Sequence, residues 1–166
     1  ECDIDSFLAL LLVKRGITEP YDVEEFLSDV YSPEDPYSLA DMDIAAERVI
    51  SALEKGERIV IFGDYDCDGV TSTALLYSYL RSKGASVRYY IPDRLTEGYG
   101  MNVAAVDKVY AEGVDLIITV DNGINCEEEI AHANELGVDV VVTDHHIPQG
   151  NLPSAVAVVD PHRIDD

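Results

Sequence analysis

Three features of this sequence predict an α/β fold: a five-stranded, mainly parallel sheet flanked by helices, with a helical amino-terminal lead-in. From residue 57 onward, short β-branched runs recur along the chain. Stretches with apolar residues at helical spacing separate those runs, which is the alternation of βαβ units. Residues 1–56 carry only helical periodicity, so they are read as a lead-in to a domain over 57–166.

In the lead-in, an apolar run from Phe7 to Val13 stops at Gly16. Asp22 and Glu25 have the spacing of a capping box ahead of Phe26 and Leu27. A third helix, carried by Ala45, Val49 and Ala52, ends at Gly56, and the Pro-containing segment Tyr31–Tyr37 is a connector. Strands are expected at Ile59–Phe62, Val87–Ile91, Leu116–Val120, Val138–Thr143 and Ala155–Val159. The intervening helices present Val70, Ala74 and Tyr77, then Val103, Val106 and Tyr110, then Cys126, Ile130 and Ala133 to the sheet. Asn125 with Glu128 caps the last of these and Gly137 ends it.

Composition narrows the functions open to such a domain. With 33 acidic residues against 11 Lys and Arg, the net charge is −22, the reverse of a basic nucleic-acid footprint. From Val109 to the end Arg163 is the one Lys or Arg, so an acidic site in that half needs a cation from outside the protein. No run of apolar residues is long enough to span a bilayer, and no signal-peptide pattern is present. Cys2, Cys67 and Cys126 form no C-x-x-C pair, which argues against a disulfide scaffold or structural zinc and for a reducing cytoplasm.

The acids fall in a pattern on that frame. Asp64, Asp66 and Asp68 follow the first strand, Asp121 and Asn122 the third, and Asp144, His145 and His146 the fourth. All lie at carboxyl ends of strands, the edge where an open parallel sheet binds ligands. Carboxylates so gathered repel one another unless cations sit among them. Oxygen ligands with one or two imidazoles suit Mn²⁺ or Mg²⁺, and two such ions about 3.5–4 Å apart are an apparatus for phosphoester hydrolysis. A lone Ca²⁺ loop is disfavoured because the D-x-D-x-D-G turn lacks a Glu at the twelfth position. A phosphoacceptor receiver domain is disfavoured because Asp160 and Pro161, not a lysine, follow the last strand. Cys67 is read as a turn filler and His162 as a surface residue.

The segments GDYDCDGVTSTALL, TVDNGI and VVVTDHH resemble the first three motifs of the DHH phosphoesterase superfamily. PYSLADMD, IFGDYDCDGVTS and IPDRLTEGYGMN narrow the resemblance to its bacterial single-stranded-DNA-specific exonucleases, over essentially the whole chain. The resemblance implies 5′-to-3′ hydrolysis of single-stranded DNA to 5′-mononucleotides in recombination and repair, with two Mn²⁺ or Mg²⁺ ions. It implies that Asp66 and Asp68 ligate different ions, Asp121 bridges them and His145 completes the second. His146 would then contact the scissile phosphate, oriented with its neighbour by Asp144. Asp64 stands in for a histidine that many members carry where this chain has Phe62. Arg94, in a loop with two glycines, is expected either to grip a phosphate in a fork or to pair with Asp93 or Glu97 at the surface, and Asn122 to touch substrate or shape its turn. A fourth-motif aspartate and further domains of the family do not occur within these residues, so the chain is expected to be an amino-terminal piece, inactive by itself. The metal constellation alone leaves open an oligoribonuclease, a cyclic-dinucleotide phosphodiesterase or a pyrophosphatase as alternatives, and a binding relative without metals is disfavoured by the retained ligand set.

Overall fold

The computed structural model describes residues 4–30, 34–93 and 100–163. The chain divides into two compact units, residues 1–35 and 36–166. The first holds helices α1 (Ser6–Lys14) and α2 (Pro20–Phe26). Asp5 caps α1 by accepting from the backbone of Phe7 at 2.9 Å. Helix α2 departs from the expected capping box: it starts at Pro20, with Glu19 at the cap and no side-chain bond there. Proline fits the first helical position, where its missing N–H has no partner to lose, so the helix begins earlier and Asp22 falls inside its first turn.

The second unit is a sheet of β1 (Arg58–Phe62), β2 (Ser86–Tyr90), β3 (Leu116–Val120), β4 (Asp139–Thr143) and β5 (Ala157–Val159). Its order is β2-β1-β3-β4-β5, and every pairing is parallel. Helices α3 (Met42–Lys55), α4 (Cys67–Ser82), α5 (Val103–Ala111) and α6 (Glu127–Glu135) cover it, with a short 3-10 turn at Pro36–Ser38. Because strand side chains alternate, Ile59, Ile61, Leu116 and Ile118 pack with α3 and α4, whereas Val60, Phe62, Ile117 and Val142 pack with α5 and α6. β3 lies at the centre and all five of its residues are buried, the signature of a strand covered on both faces. The strand order reverses between β1 and β3, which opens a crevice at their carboxyl ends.

Several elements depart from the sequence reading for identifiable reasons. Ala45 and Ala52 of α3 are buried in the sheet's own core, and the second compact unit includes that helix. On α4, Val70 and Ala74 point to solvent and Tyr77 is half-buried, while Gly69, Thr73 and Leu80 face inward. The helix turns its small residues to the β1–α4 loop because the two backbones touch. A Cβ on Gly69 would lie 2.5 Å from the Asp64 carbonyl oxygen, and one on Gly63 would overlap Thr73 Oγ1. On α5, Val106 is buried as expected, but Ala105 and Val109 take the places assigned to Val103 and Tyr110, whose side chains keep water contact. Helix α6 has Cys126 at its N-cap and no side-chain cap bond, since the Asn125 side chain is engaged by the loop around Ile147 and Gln149. Strand β5 is confined to Ala157–Val159.

The outer edge of β5 is closed by side chains. Asp41 Oδ2 accepts from the Val158 backbone N–H at 3.0 Å and from Arg163 Nη1 at 2.7 Å. The same Arg163 nitrogen donates to the Val158 carbonyl. Ion pairing also joins helix to sheet: Arg48 of α3 bonds Asp139 and Glu57, each at 2.7 Å.

Gly69→Ala tests the close approach of α4 to the loop. In an ordinary helix this change stabilises by about 1 kcal/mol. Here the added methyl meets backbone, so a net loss of about 1–2 kcal/mol is expected in urea denaturation.

Candidate metal centre

The centre is built where β1, β3 and β4 end. The loop after β1 is held by the Gly63 N–H, which donates to the Tyr90 carbonyl of β2 at 2.9 Å. Next comes Asp64, fully buried, with both carboxylate oxygens lacking a hydrogen-bond partner. Two residues on, Asp66 caps α4: its Oδ1 accepts from Asp68 N and Gly69 N, both at 3.0 Å. The Gly69 N–H is the main reason the Asp66 carboxyl titrates below its usual value.

Asp121 ends β3 in a left-handed backbone conformation, φ 62°, and is buried. Its Oδ1 meets His145 Nε2 at 2.9 Å, while its Oδ2 is buried with no partner. Burial pushes the Asp121 carboxyl up; His145 opposes the shift and the neighbouring Asp66 charge adds to it. The two acids thus move apart, Asp66 downward and Asp121 upward, as two carboxylates do when they share a site.

Asp144 organises the third segment. Its Oδ1 accepts from His145 N at 2.7 Å, His146 N at 3.2 Å and His146 Nδ1 at 2.7 Å, and its Oδ2 from Ile124 N at 3.0 Å. The hydrogen bond to this carboxylate raises the His146 imidazole above its ordinary value. The two rings lie 4.7 Å apart, tilted by 48°. Asp144 thus holds the backbone of both histidines and the ring of His146.

Two sets of ligand atoms emerge, each within 4.8 Å of one another: Asp64, Asp66 and Asp121; and Asp121, His145 and His146. The donors fit a divalent metal. The orphaned oxygens of Asp64 and Asp121 have no protein partner to offset their burial, and oxygen with imidazole is a set for hard to borderline cations. Asp68 belongs to neither set and stands exposed on the rim of a cavity of about 390 Å³, shared with Ser72, Asp121 and His145. Asn122 is a brace: its Nδ2 donates to the carbonyls of Phe62 at 3.1 Å and Val120 at 2.9 Å, tying β1 to β3 across the crevice. Arg94 lies outside the described residues.

Two contributors escaped the sequence reading. Asn125 fastens the histidine loop, accepting from Gln149 N at 2.8 Å and donating to the Ile147 carbonyl at 3.3 Å. Asp160 is buried at the end of β5, its Oδ1 taken by His162 N, and its charge adds to those that raise His146. Its position after a strand, like that of the other acids, was the available signal.

A doubly wound parallel sheet with carboxylates and paired imidazoles at its switch point defines an α/β domain built to hold divalent metal. The chain belongs to the DHH family: residues 58–166 match its N-terminal domain. It is similar to the single-stranded-DNA-specific exonuclease RecJ of Bacillus subtilis, 44% identical over 162 residues. That match covers 95% of this chain and 20% of the relative, so the chain spans about a fifth of that protein's length. Among solved structures, exonuclease RecJ bound to manganese superposes with a TM-score of 0.73 at 41% identity, over 81% of this chain and 34% of the other. RecJ from Thermus thermophilus in complex with Mn²⁺ gives 0.68 at 35% identity, over 92% of this chain and 20% of the other.

The Asp144–His146 pair has a pH signature in the metal-free chain. A histidine raised by its partner contributes stability fully present below its unfolded value of about 6.5 and lost as pH rises through its folded value. Asp144→Asn is therefore expected to lower the His146 titration midpoint, read from its ring proton by NMR. The stability deficit of the variant should shrink with rising pH over that window. An unchanged midpoint would remove Asp144 as the cause.

Proposed function

We propose that this chain is the metal-holding portion of a 5′-to-3′ exonuclease that hydrolyses single-stranded DNA to 5′-mononucleotides in recombination and repair in the cytoplasm. The observation that supports the reading is Asp121, the one residue common to both ligand sets, which would serve two ions of a single centre. The similarity to RecJ over nearly the whole chain supports the substrate.

In this reading Asp64, Asp66 and Asp121 would hold one cation, and Asp121 and His145 the other, with Asp68 available to it from the cavity rim. Mn²⁺ or Mg²⁺ bound there supplies an activated water and offsets charge on the phosphoryl oxygens. The remaining work falls to the chain's own residues. Asp144 fixes the ring of His146 so that it meets the scissile phosphate as a donor. Asp66 caps α4 with one oxygen and so points the start of that helix at the centre. Asn122 holds the walls of the crevice at fixed spacing, and Arg94 is assigned to a substrate phosphate.

Cations for the rest of a DNA strand are scarce in this chain. Arg48, Arg88 and Arg163 are engaged by Glu57 and Asp139, by Glu112, and by Asp41 respectively. Backbone binding depends on Lys and Arg that release counterions from phosphate, so residues 1–166 alone are expected neither to retain nor to degrade single-stranded DNA at physiological salt.

Mn²⁺ is expected to raise the thermal midpoint of the 166-residue chain, because it binds the folded acid cluster better than the unfolded chain. Asp121→Asn should cut that gain well below that of the distant Glu128→Gln, and equal gains in both would place the metal elsewhere. Activity is tested on a 5′-phosphorylated oligonucleotide with Mn²⁺, comparing this chain with a protein that also carries the further length present in the relatives. The longer protein should digest from the 5′ end and lose that activity by two or more orders of magnitude in Asp121→Asn, in keeping with loss of a shared metal ligand. Cleavage of a cyclic dinucleotide without digestion of the oligonucleotide would overturn the substrate.

A further inference from the structure

The two ligand sets differ in charge. Asp64, Asp66 and Asp121 would bring three carboxylates to one divalent ion, whereas the other set has Asp121, which it shares, and the imidazoles of His145 and His146. Histidine ligates as the neutral ring, so an ion in the second set has no carboxylate to itself there. Asp68 on the cavity rim is exposed, and water and salt weaken an exposed charge. A buried carboxylate next to the histidines would make up the difference.

Strand β5 ends in one. Thr143 pairs with Val159, and the Asp144 N–H donates to the Val159 carbonyl at 3.0 Å, so the next residue, Asp160, leaves β5 directly beside Asp144. Neighbouring strands lie about 4.8 Å apart. Asp144 is the acid bonded to the backbone of both histidines and to the His146 ring, which puts Asp160 one strand away from the pair. Asp160 and His146 interact electrostatically across that step.

The charge of Asp160 is more than its turn requires. Its Oδ1 accepts from His162 N at 2.7 Å and its carbonyl from Arg163 N at 3.3 Å, which closes the turn that brings Arg163 back to the β5 edge. An asparagine would close the same turn, because its side-chain carbonyl is an equivalent acceptor. The residue is 1% exposed, and its Oδ2 is buried with no hydrogen-bond partner among the described residues. Such an oxygen opposes folding unless a cation lies nearby. Asp144 differs in this respect, since its oxygens already accept from three backbone N–H groups and from the His146 ring.

We propose that Asp160 is a positioning residue of the metal centre, a buried carboxylate outside both ligand sets whose charge favours the ion held by Asp121, His145 and His146. The assignment rests on the two-ion reading of the centre given above. It acts through the field at the histidine pair and touches neither the ion nor the substrate.

The test titrates the 166-residue chain with Mn²⁺ and reads the free ion from its EPR signal. Asp160→Asn keeps an acceptor for His162 N and removes the charge. It is expected to weaken the Mn²⁺ binding that depends on His145 by about tenfold to a hundredfold, the range for loss of a partner outside the ligand shell. The thermal midpoint of the metal-free variant should equal or exceed that of the parent, whereas Asp160→Ala, which also opens the turn, should lower it. Glu128→Gln removes one exposed charge and should leave Mn²⁺ affinity unchanged. In a His145→Ala background Asp160→Asn should make no further difference. Parent-like affinity in Asp160→Asn overturns the assignment alone, as does a metal-free midpoint as low as that of Asp160→Ala, which would make Asp160 a turn residue. A loss of the same size in the His145→Ala background, or parent binding that His145→Ala does not weaken, would sever Asp160 from the second ion. If the parent binds no Mn²⁺ at all, the two-ion reading falls and this assignment falls with it.

Discussion

A carboxylate buried with neither oxygen hydrogen-bonded opposes folding by several kcal/mol, and Asp64 is in that position. The surrounding architecture keeps it there. Gly63 and Gly69 remove the side chains that would prevent α4 from closing over the loop, and Thr73 fills the remaining space. Closure aims the start of α4 at the crevice, sets Asp66 on the helix cap, and brings both acids within reach of Asp121. The local rules of helix packing are set aside at this point in favour of the position of three oxygen atoms.

Arg48 and Arg163 fasten α3 and the β5 edge, away from the crevice, and among the described residues no guanidinium joins Asp64, Asp66 and Asp121. The helix cap holds the Asp66 carboxyl low and burial drives that of Asp121 high. Among the described residues no Lys or Arg enters this site, so a metal ion can enter it without displacing such a partner.

The framework of this site was legible in the sequence. β3 was bounded correctly because a strand buried on both faces is an unbroken apolar run, and the strand-end positions of Asp64, Asp121 and Asp144 followed from the strands themselves. The buried faces of α4 and α5 were not legible, because periodicity ranks residues by hydrophobicity whereas Gly69, Thr73 and Ala105 face inward for being small. The capping boxes at Asp22 and Asn125 failed for different reasons. A proline started one helix early, and the asparagine of the other was taken by a loop 24 residues away in sequence. Long-range hydrogen bonds of this kind leave no local pattern. The same holds for α3, whose membership in the sheet unit is visible only from Ala45 and Ala52 in its core.

The pairing of Asp41 and Arg163 on β5 has a meaning for how this domain behaves in company. Edge strands invite foreign backbone, and a parallel sheet with an unguarded rim is a template for aggregation. Here the outward N–H and carbonyl of Val158 are already occupied, by a carboxylate and a guanidinium standing where a sixth strand would lie. The rim is sealed by two side chains from opposite ends of the unit, so it is closed only once both ends of that unit have folded onto the sheet. Until then a nascent chain has an open rim, and protection from misassembly arrives together with the native state.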